Sequence, residues 1–221
     1  MSTIDWSAWH EAYDRPEHFL GARLAVVQQR IRELLDGAPP GPLRAISLCA
    51  GQGRDLLEVL AGHARARDVS ALLVERDERN VAAARAAAAA ARLSGVTITR
   101  GDAASTDAYA GAVPADLILA CGVFGNIVDA DIERTIAALP SLCAPRATVV
   151  WTRHRMPPDR TIEIRGWFER AGFREVAFDA PDAFLFSVGV HRLGVAPAAF
   201  TPGLRLFDFV GSDVLLARAP A

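Results

Sequence analysis

A chain of 221 residues, 51% of them hydrophobic, is long enough for one domain with a sizeable core and too short for two ordinary ones. All 24 basic residues are arginine, which excludes a Schiff-base lysine and a lysine-bearing phosphate loop; with 26 acidic residues the net charge is −2, and no lysine-rich face exists for nucleic acid. Cys49, Cys121 and Cys143 are odd in number, far apart and set in apolar runs, so they read as reduced, buried thiols and not as a disulfide framework or zinc site.

The first stretch, "MSTIDWSAWHEAYDRPEHF", is acidic and aromatic where a signal peptide needs a basic start and an apolar run. No segment approaches the length of a membrane span, so the expectation is a soluble, cytoplasmic protein with no membrane partner. Trp6, Trp9, Tyr13 and Phe19 on a short leading helix must pack on the core or cover a cleft. His10 and Tyr13, one turn apart, fall on one face, as a lid touching substrate requires. Leu20, Leu24, Val27, Ile31, Leu34 and Leu35 then recur at helical spacing, which predicts a helix over 18–36 broken by "GAPPGPL".

From there the pattern alternates: strand 43–50, helix 55–66, strand 69–75, helix 78–94, strand 96–101, strand 115–122, helix 129–143, strand 147–153 and helix 160–172. Short β-branched and leucine-rich runs between amphipathic helices are the mark of parallel strands covered on both faces. "FREVAFDA" and "AFLFSVGVHRL", joined by a short "PD" turn, predict an antiparallel pair that finishes the sheet.

The stretch "AISLCAGQGRD" runs from the first strand into the first covering helix, where an open α/β sheet binds its ligand. Gly51 and Gly53 let the backbone bend and approach a ligand closely, and the helix beginning near Asp55 points its free N–H groups at the same spot. Glu75 ends the second strand, where ribose hydroxyls would be bound, or is a surface glutamate. Asp102, after the third strand, lies within reach of an adenine amino group, or is a turn former. A dinucleotide loop needs a third glycine where this chain has Leu56.

With these three motifs, "CAGQGRD", "LLVERD" and "TRGDA", the sequence resembles the class I S-adenosylmethionine-dependent methyltransferases over roughly residues 43–193. The resemblance implies a Rossmann-like, doubly wound sheet of seven strands, mostly parallel with a C-terminal antiparallel hairpin and helices on both faces. It divides the single domain into an N-terminal lid segment, 1–36, a cofactor-binding core, 43–193, and a C-terminal extension, 194–221. It places Gly51 and Gly53 under the methionine part of S-adenosyl-L-methionine, Glu75 on the ribose, Asp102 and Ala103 about the adenine, and Cys121, Gly122 and Phe124 beside the sulfonium. The acid that usually stands two before the first glycine is Cys49 here and the usual third glycine is Asp55, so Asp55 or Asp14 takes the cofactor's ammonium.

Methyl transfer is an in-line displacement, so alignment and exclusion of water supply most of the rate. His154, in "VVWTRHR", is the candidate base, with His10 and Tyr13 as substrate contacts; Arg153 and Arg155 beside it suit a substrate carboxylate. The expected function is methyl transfer to a small-molecule acceptor without nucleic acid. The rival readings are an NAD(P)-dependent oxidoreductase and a non-catalytic cofactor-binding sensor or partner subunit.

Overall fold

The computed structural model describes residues 18–211 and Leu215. The leading segment that bears His10, Tyr13 and Asp14 lies outside them. Helix α1 (Phe19–Gly37) begins at His18, whose Nδ1 accepts the Leu20 N–H, and buries Leu20, Val27, Ile31 and Leu35 along one stripe. Strand β1 (Leu43–Leu48) follows the "APPGP" break and leads to α2 (Arg54–Gly62), β2 (Val69–Glu75), α3 (Glu78–Ala90) and β3 (Val96–Arg100). Next come β4 (Ala115–Ala120), α4 (Asp129–Ala138), β5 (Cys143–His154), α5 (Thr161–Arg170), β6 (Phe173–Asp179) and β7 (Phe186–Leu193).

These seven strands form one sheet in the order β3-β2-β1-β4-β5-β7-β6. β1 to β5 are parallel neighbours, while β7 runs antiparallel to both β5 and β6 and lies between them. The chain leaves β1 towards β2 on one side and returns to β4 on the other. Their carboxyl ends therefore open the crevice in which such sheets bind ligands.

Each face of the sheet has its own apolar layer. Ile46, Leu48, Val74, Ile118, Val149 and Trp151 meet Ile132 and Ile136 of α4 and Ile164 and Phe168 of α5. On the opposite face Ala45, Leu73, Leu119, Val150 and Val188 meet α1, α2 and α3 through Ile31, Leu56, Leu60, Val81 and Ala84. At roughly 1.5–3 kcal/mol for each fully buried large apolar side chain, these layers are the main force holding the sheet between its helices.

Several elements end earlier or later than their sequence pattern predicts. The helix expected over 129–143 stops at Ala138, because Pro140 supplies no N–H and turns the chain into a 3₁₀ segment, Leu139–Ser141. β5 starts at Cys143 and not at 147; Arg146 at φ 64° and a register shift opposite Ala115–Leu117 absorb the irregularity within it. The hairpin connection is longer than a "PD" turn and spans residues 180–185. Among the described residues no helix is long and apolar enough to cross a membrane.

Candidate functional site

At the carboxyl edge of β1, β2, β3 and β4 a cavity of about 760 Å³ opens. Gly51 (φ 56°) and Gly53 (φ 70°) carry the chain through a left-handed turn into α2, and a Cβ on Gly53 would stand 2.6 Å from Leu73 Cδ2 and 2.9 Å from Leu57 Cδ1. Glycine is thus required there for conformation and for the close approach of loop to strand. Cys49 also has positive φ, 49°, and lines the cavity.

Glu75 pins this loop. Its Oε2 accepts the Gly51 N–H at 2.7 Å, and its Oε1 accepts Arg76 and Asp77 N–H at 2.9 and 2.8 Å. The side chain is buried, yet it lines the cavity. Opposite, Asp102 Oδ1 accepts the Ala104 N–H at 3.0 Å, and the neighbouring Ala103 carbonyl accepts the buried Tyr109 hydroxyl at 2.6 Å. Burial alone would raise the Asp102 carboxyl, but the Ala104 N–H and the Arg205 guanidinium outweigh it and hold the group below its usual range.

At the other end of the cavity, Gly122 (φ 76°) donates its N–H to Thr152 Oγ1 at 2.8 Å, and its carbonyl accepts the Asn126 amide at 2.6 Å. Cys121 and Asp55 meet here. Burial pushes the Cys121 thiol up, with Asp55 beside it, and pushes the Asp55 carboxyl to about 6 against the Leu56 N–H and Arg23. Cys49 is likewise pushed up to about 12 by burial and by Glu75 and Asp102, so it is a neutral thiol that cannot balance a cation. Asp55 is the carboxylate available at that end, and Arg23, Leu24 and Val27 of α1 complete the wall.

The structure thus gathers Gly51, Gly53, Asp55, Glu75, Asp102, Ala103, Cys121 and Gly122 around one cavity. It does not bring Phe124 there. That ring is fully buried on the α4–α5 face, 6.0 Å from Trp151 and 6.3 Å from Phe168, because the chain turns inward after Gly122. His154 does not line the cavity either. Its ring packs against Gly125, its Nδ1 is buried without a hydrogen-bond partner, and burial with Arg153 nearby lowers it to about 4, leaving it neutral. Arg155 donates from Nε to the Phe186 carbonyl and from one terminal nitrogen to the Pro181 and Phe184 carbonyls, so it braces the hairpin loop and does not line the cavity. Arg153 is 7% exposed and donates to the Phe124 carbonyl.

A further wall was not anticipated. Residues 200–211 fold back over the cleft and contribute Arg205, Phe207, Asp208 and Phe209. The strap is tied to the Asp102 loop by Leu206 N–H to Ala104 O (2.7 Å) and Thr106 N–H to Leu204 O (3.0 Å). At its other end Val210 and Gly211 N–H donate to Asn126 O at 2.8 and 3.1 Å. The apolar–polar alternation of "LRLFDFV" was the one signal of an extended segment there, and it carries no chemical motif.

Along the sheet edge the cavity presents Asp102 after β3, Glu75 at the end of β2, the glycine turn after β1 and Asp55 in α2, a row whose shape and charge suit a nucleoside bearing an amino-acid tail. Leu56, fully buried on the sheet-facing side of α2, fills the place where a dinucleotide fold needs glycine for close helix–strand packing. Among the described residues no cluster of potential metal ligands occurs.

A family model described as "Putative methyltransferase" matches residues 20–166. No curated protein matches the chain. Among solved structures it is similar to magnesium protoporphyrin IX methyltransferase from Synechocystis PCC 6803 with bound SAM, at 14% identity and TM-score 0.67, covering 86% of this chain and 91% of that one. It is also similar to an O-methyltransferase family protein from Burkholderia thailandensis, at 16% identity and TM-score 0.63, covering 86% of this chain and 60% of that protein. A third is precorrin-6y C5,15-methyltransferase from Geobacter metallireducens GS-15, at 12% identity and TM-score 0.57, with 82% and 90% covered.

Proposed function

Since the chain belongs to the methyltransferase family whose model spans about two thirds of it, we propose that it moves a methyl group from S-adenosyl-L-methionine to a small-molecule acceptor. The observation that carries this reading is the Glu75 carboxylate, buried at the end of β2 and bonded to the Gly51 N–H, so that the ribose-binding acid and the glycine turn form one rigid unit beside Asp102. Gly51 and Gly53 underlie the methionine portion, Glu75 receives the ribose hydroxyls, Asp102 and Ala103 bound the adenine, and Asp55 faces the ammonium. Cys121 and Gly122 stand by the sulfonium. When bound, the cofactor supplies an electrophilic methyl group.

The chain's own contribution is to orient and to exclude water. Gly122, held by Thr152 and Asn126, fixes the β4 edge of the cavity, and the strap roofs it. The acceptor enters from the side bounded by Asn126, Thr152 and Phe209; the leading segment with His10 and Tyr13, expected to act as a lid, lies outside the described residues. The base role of His154 is not carried forward, since its half-buried ring stands outside the cavity wall and its Nδ1 is buried. A small acceptor is supported by the charge pattern: among the described residues, the cavity-lining Arg54, Arg79 and Arg100 are paired with Glu58, Asp77 and Glu78, and Arg205 with Asp102 and Asp208, which breaks up a basic track for a polynucleotide. The three free thiols suit the reducing cytoplasm, where we place the protein.

Calorimetry with S-adenosylhomocysteine tests the donor site, and absence of heat at sub-millimolar ligand would overturn it. Incubation with S-adenosylmethionine and a library of hydroxy, amino and carbon acceptors, read by mass spectrometry for the gain of one methylene unit, tests the acceptor class. Methylation of RNA or protein in place of every small molecule would overturn that part.

A further inference from the structure

We propose that Arg205, carried by the strap beyond the stretch matched by the family model, is a positioning residue that aims the Asp102 carboxylate at the exocyclic amino group of the donor's adenine. The proposal rests on the donor reading given above.

The Arg205 guanidinium bridges two acids. One terminal nitrogen donates to Asp102 Oδ2, while Nε and the other terminal nitrogen donate to Asp208 Oδ1 at 3.0 and 2.7 Å. Asp102 is thus held at both oxygens, by Arg205 on Oδ2 and by the Ala104 N–H on Oδ1. A carboxylate oxygen has about two acceptor directions, so one remains on each oxygen, and its direction is set by the partner occupying the other. Without Arg205 the carboxylate keeps one anchor and rotates about it.

The backbone on both sides of this contact is also fixed. Arg205 pairs with Ser105 in an isolated antiparallel bridge, Leu206 N–H binds Ala104 O at 2.7 Å, and Gly203 N–H binds Asp107 Oδ1 at 2.8 Å. The guanidinium therefore springs from a strap fastened directly to the loop that carries Asp102. Arg205 and Asp102 are 50% and 55% exposed, and an exposed pair of this kind adds little to folding stability. Both line the cavity, as does Asp208. A network that contributes little to the fold, but sits on the wall of the ligand site and immobilises its one adenine-facing acid, acts on ligand choice. An ionised carboxylate offers acceptors only, so it favours an amino group over a carbonyl at the purine's sixth position.

The test measures binding, not turnover, with the full chain and two ligands: S-adenosylhomocysteine and S-inosylhomocysteine, which carries a carbonyl in place of the amino group. Wild type should prefer the adenosyl ligand. Arg205→Gln should lose about three- to tenfold in affinity for it, the range of a charged hydrogen bond partly screened by water, while inosyl affinity stays within about twofold. Arg205→Lys should keep part of the preference, and adding Arg205→Gln to Asp102→Asn should cost nothing more. Equal weakening of both ligands, or an unchanged ratio in Arg205→Gln, would overturn the proposal, as would a wild type that binds both equally. If wild type binds neither, the donor reading itself fails. Circular dichroism melting accompanies each variant; should Arg205→Gln not fold, Arg205→Lys and Asp102→Asn decide by the same ratio.

Discussion

Glu75 accepts three backbone N–H donors, so it fastens the glycine turn to β2 as well as facing the ligand. Glu75→Gln puts an amide nitrogen against N–H groups that need an acceptor. Urea unfolding should show a loss of about 1–3 kcal/mol, with affinity for S-adenosylhomocysteine falling alongside; an unchanged midpoint would mean the turn is held elsewhere. Asp55 makes a different prediction. Its carboxyl, raised to about 6 chiefly by burial, must ionise to receive an ammonium, so ligand binding should release a proton at and below about pH 6 and little at pH 7. Affinity should climb as pH rises from 5 to 7 and level off above, and Asp55→Asn should abolish the climb, as calorimetry in buffers of different ionisation heat would register. The glycines, Glu75 and Asp102 were legible in the sequence because each is fixed by its own strand end. Phe124, expected beside the sulfonium, packs in the core because a residue four past β4 can turn to either face, and Arg205 was invisible because its partner lies 103 positions away.

Packing between elements shows why the antiparallel finish of the sheet tolerates so little change. Gly189 of β7 stands opposite Trp151 of β5, and a Cβ there would lie 2.2 Å from the indole Cε2. Trp151 cannot move aside: it stacks on Phe168 at 5.9 Å and donates its Nε1–H to His191 Nδ1 at 3.0 Å. Gly189→Ala should therefore cost at least about 1–3 kcal/mol, the usual penalty of overpacking a filled core, seen as a lowered thermal midpoint. No change would show that the indole has room to shift. At this scale the sequence predicted the strands, the helices and the antiparallel sense of β6 and β7. It did not predict that β7 lies between β5 and β6, since alternation along a strand says which face is buried and nothing about which neighbour it pairs with. The shortened α4 follows from Pro140, which was plain in the sequence but carried less weight than the apolar period around it.

For the whole molecule, three shifted groups dominate the response between pH 7 and 5, above the range in which the lowered carboxyls of Glu33, Asp77 and Asp102 take up protons. Burial lowers His191 and His154 from 6.5 to about 4 each, so between those values the unfolded chain binds protons that the folded one refuses, and stability falls as pH falls. Asp55 works in the opposite sense: from about 6 down to 3.8 the folded chain holds a proton that the unfolded one lacks. Two groups against one leave a net loss on acidification of roughly 1.4 kcal/mol per pH unit for each uncancelled proton, reduced in practice because His154 is only half-buried. Urea unfolding at pH 7, 6 and 5 should show this decline, and Asp55→Asn should steepen it; stability flat or rising toward pH 5 would contradict the assignment. The strap that joins the Asp102 loop to Asn126 also has a consequence for synthesis. A nascent chain exposed through β5 already holds both glycines, Glu75 and Asp102, yet it lacks β7 and the segment that closes the cleft. Ligand capture is then a late event on the ribosome, and a stalled chain displayed through residue 193 should retain less S-adenosylhomocysteine than one displayed through residue 215.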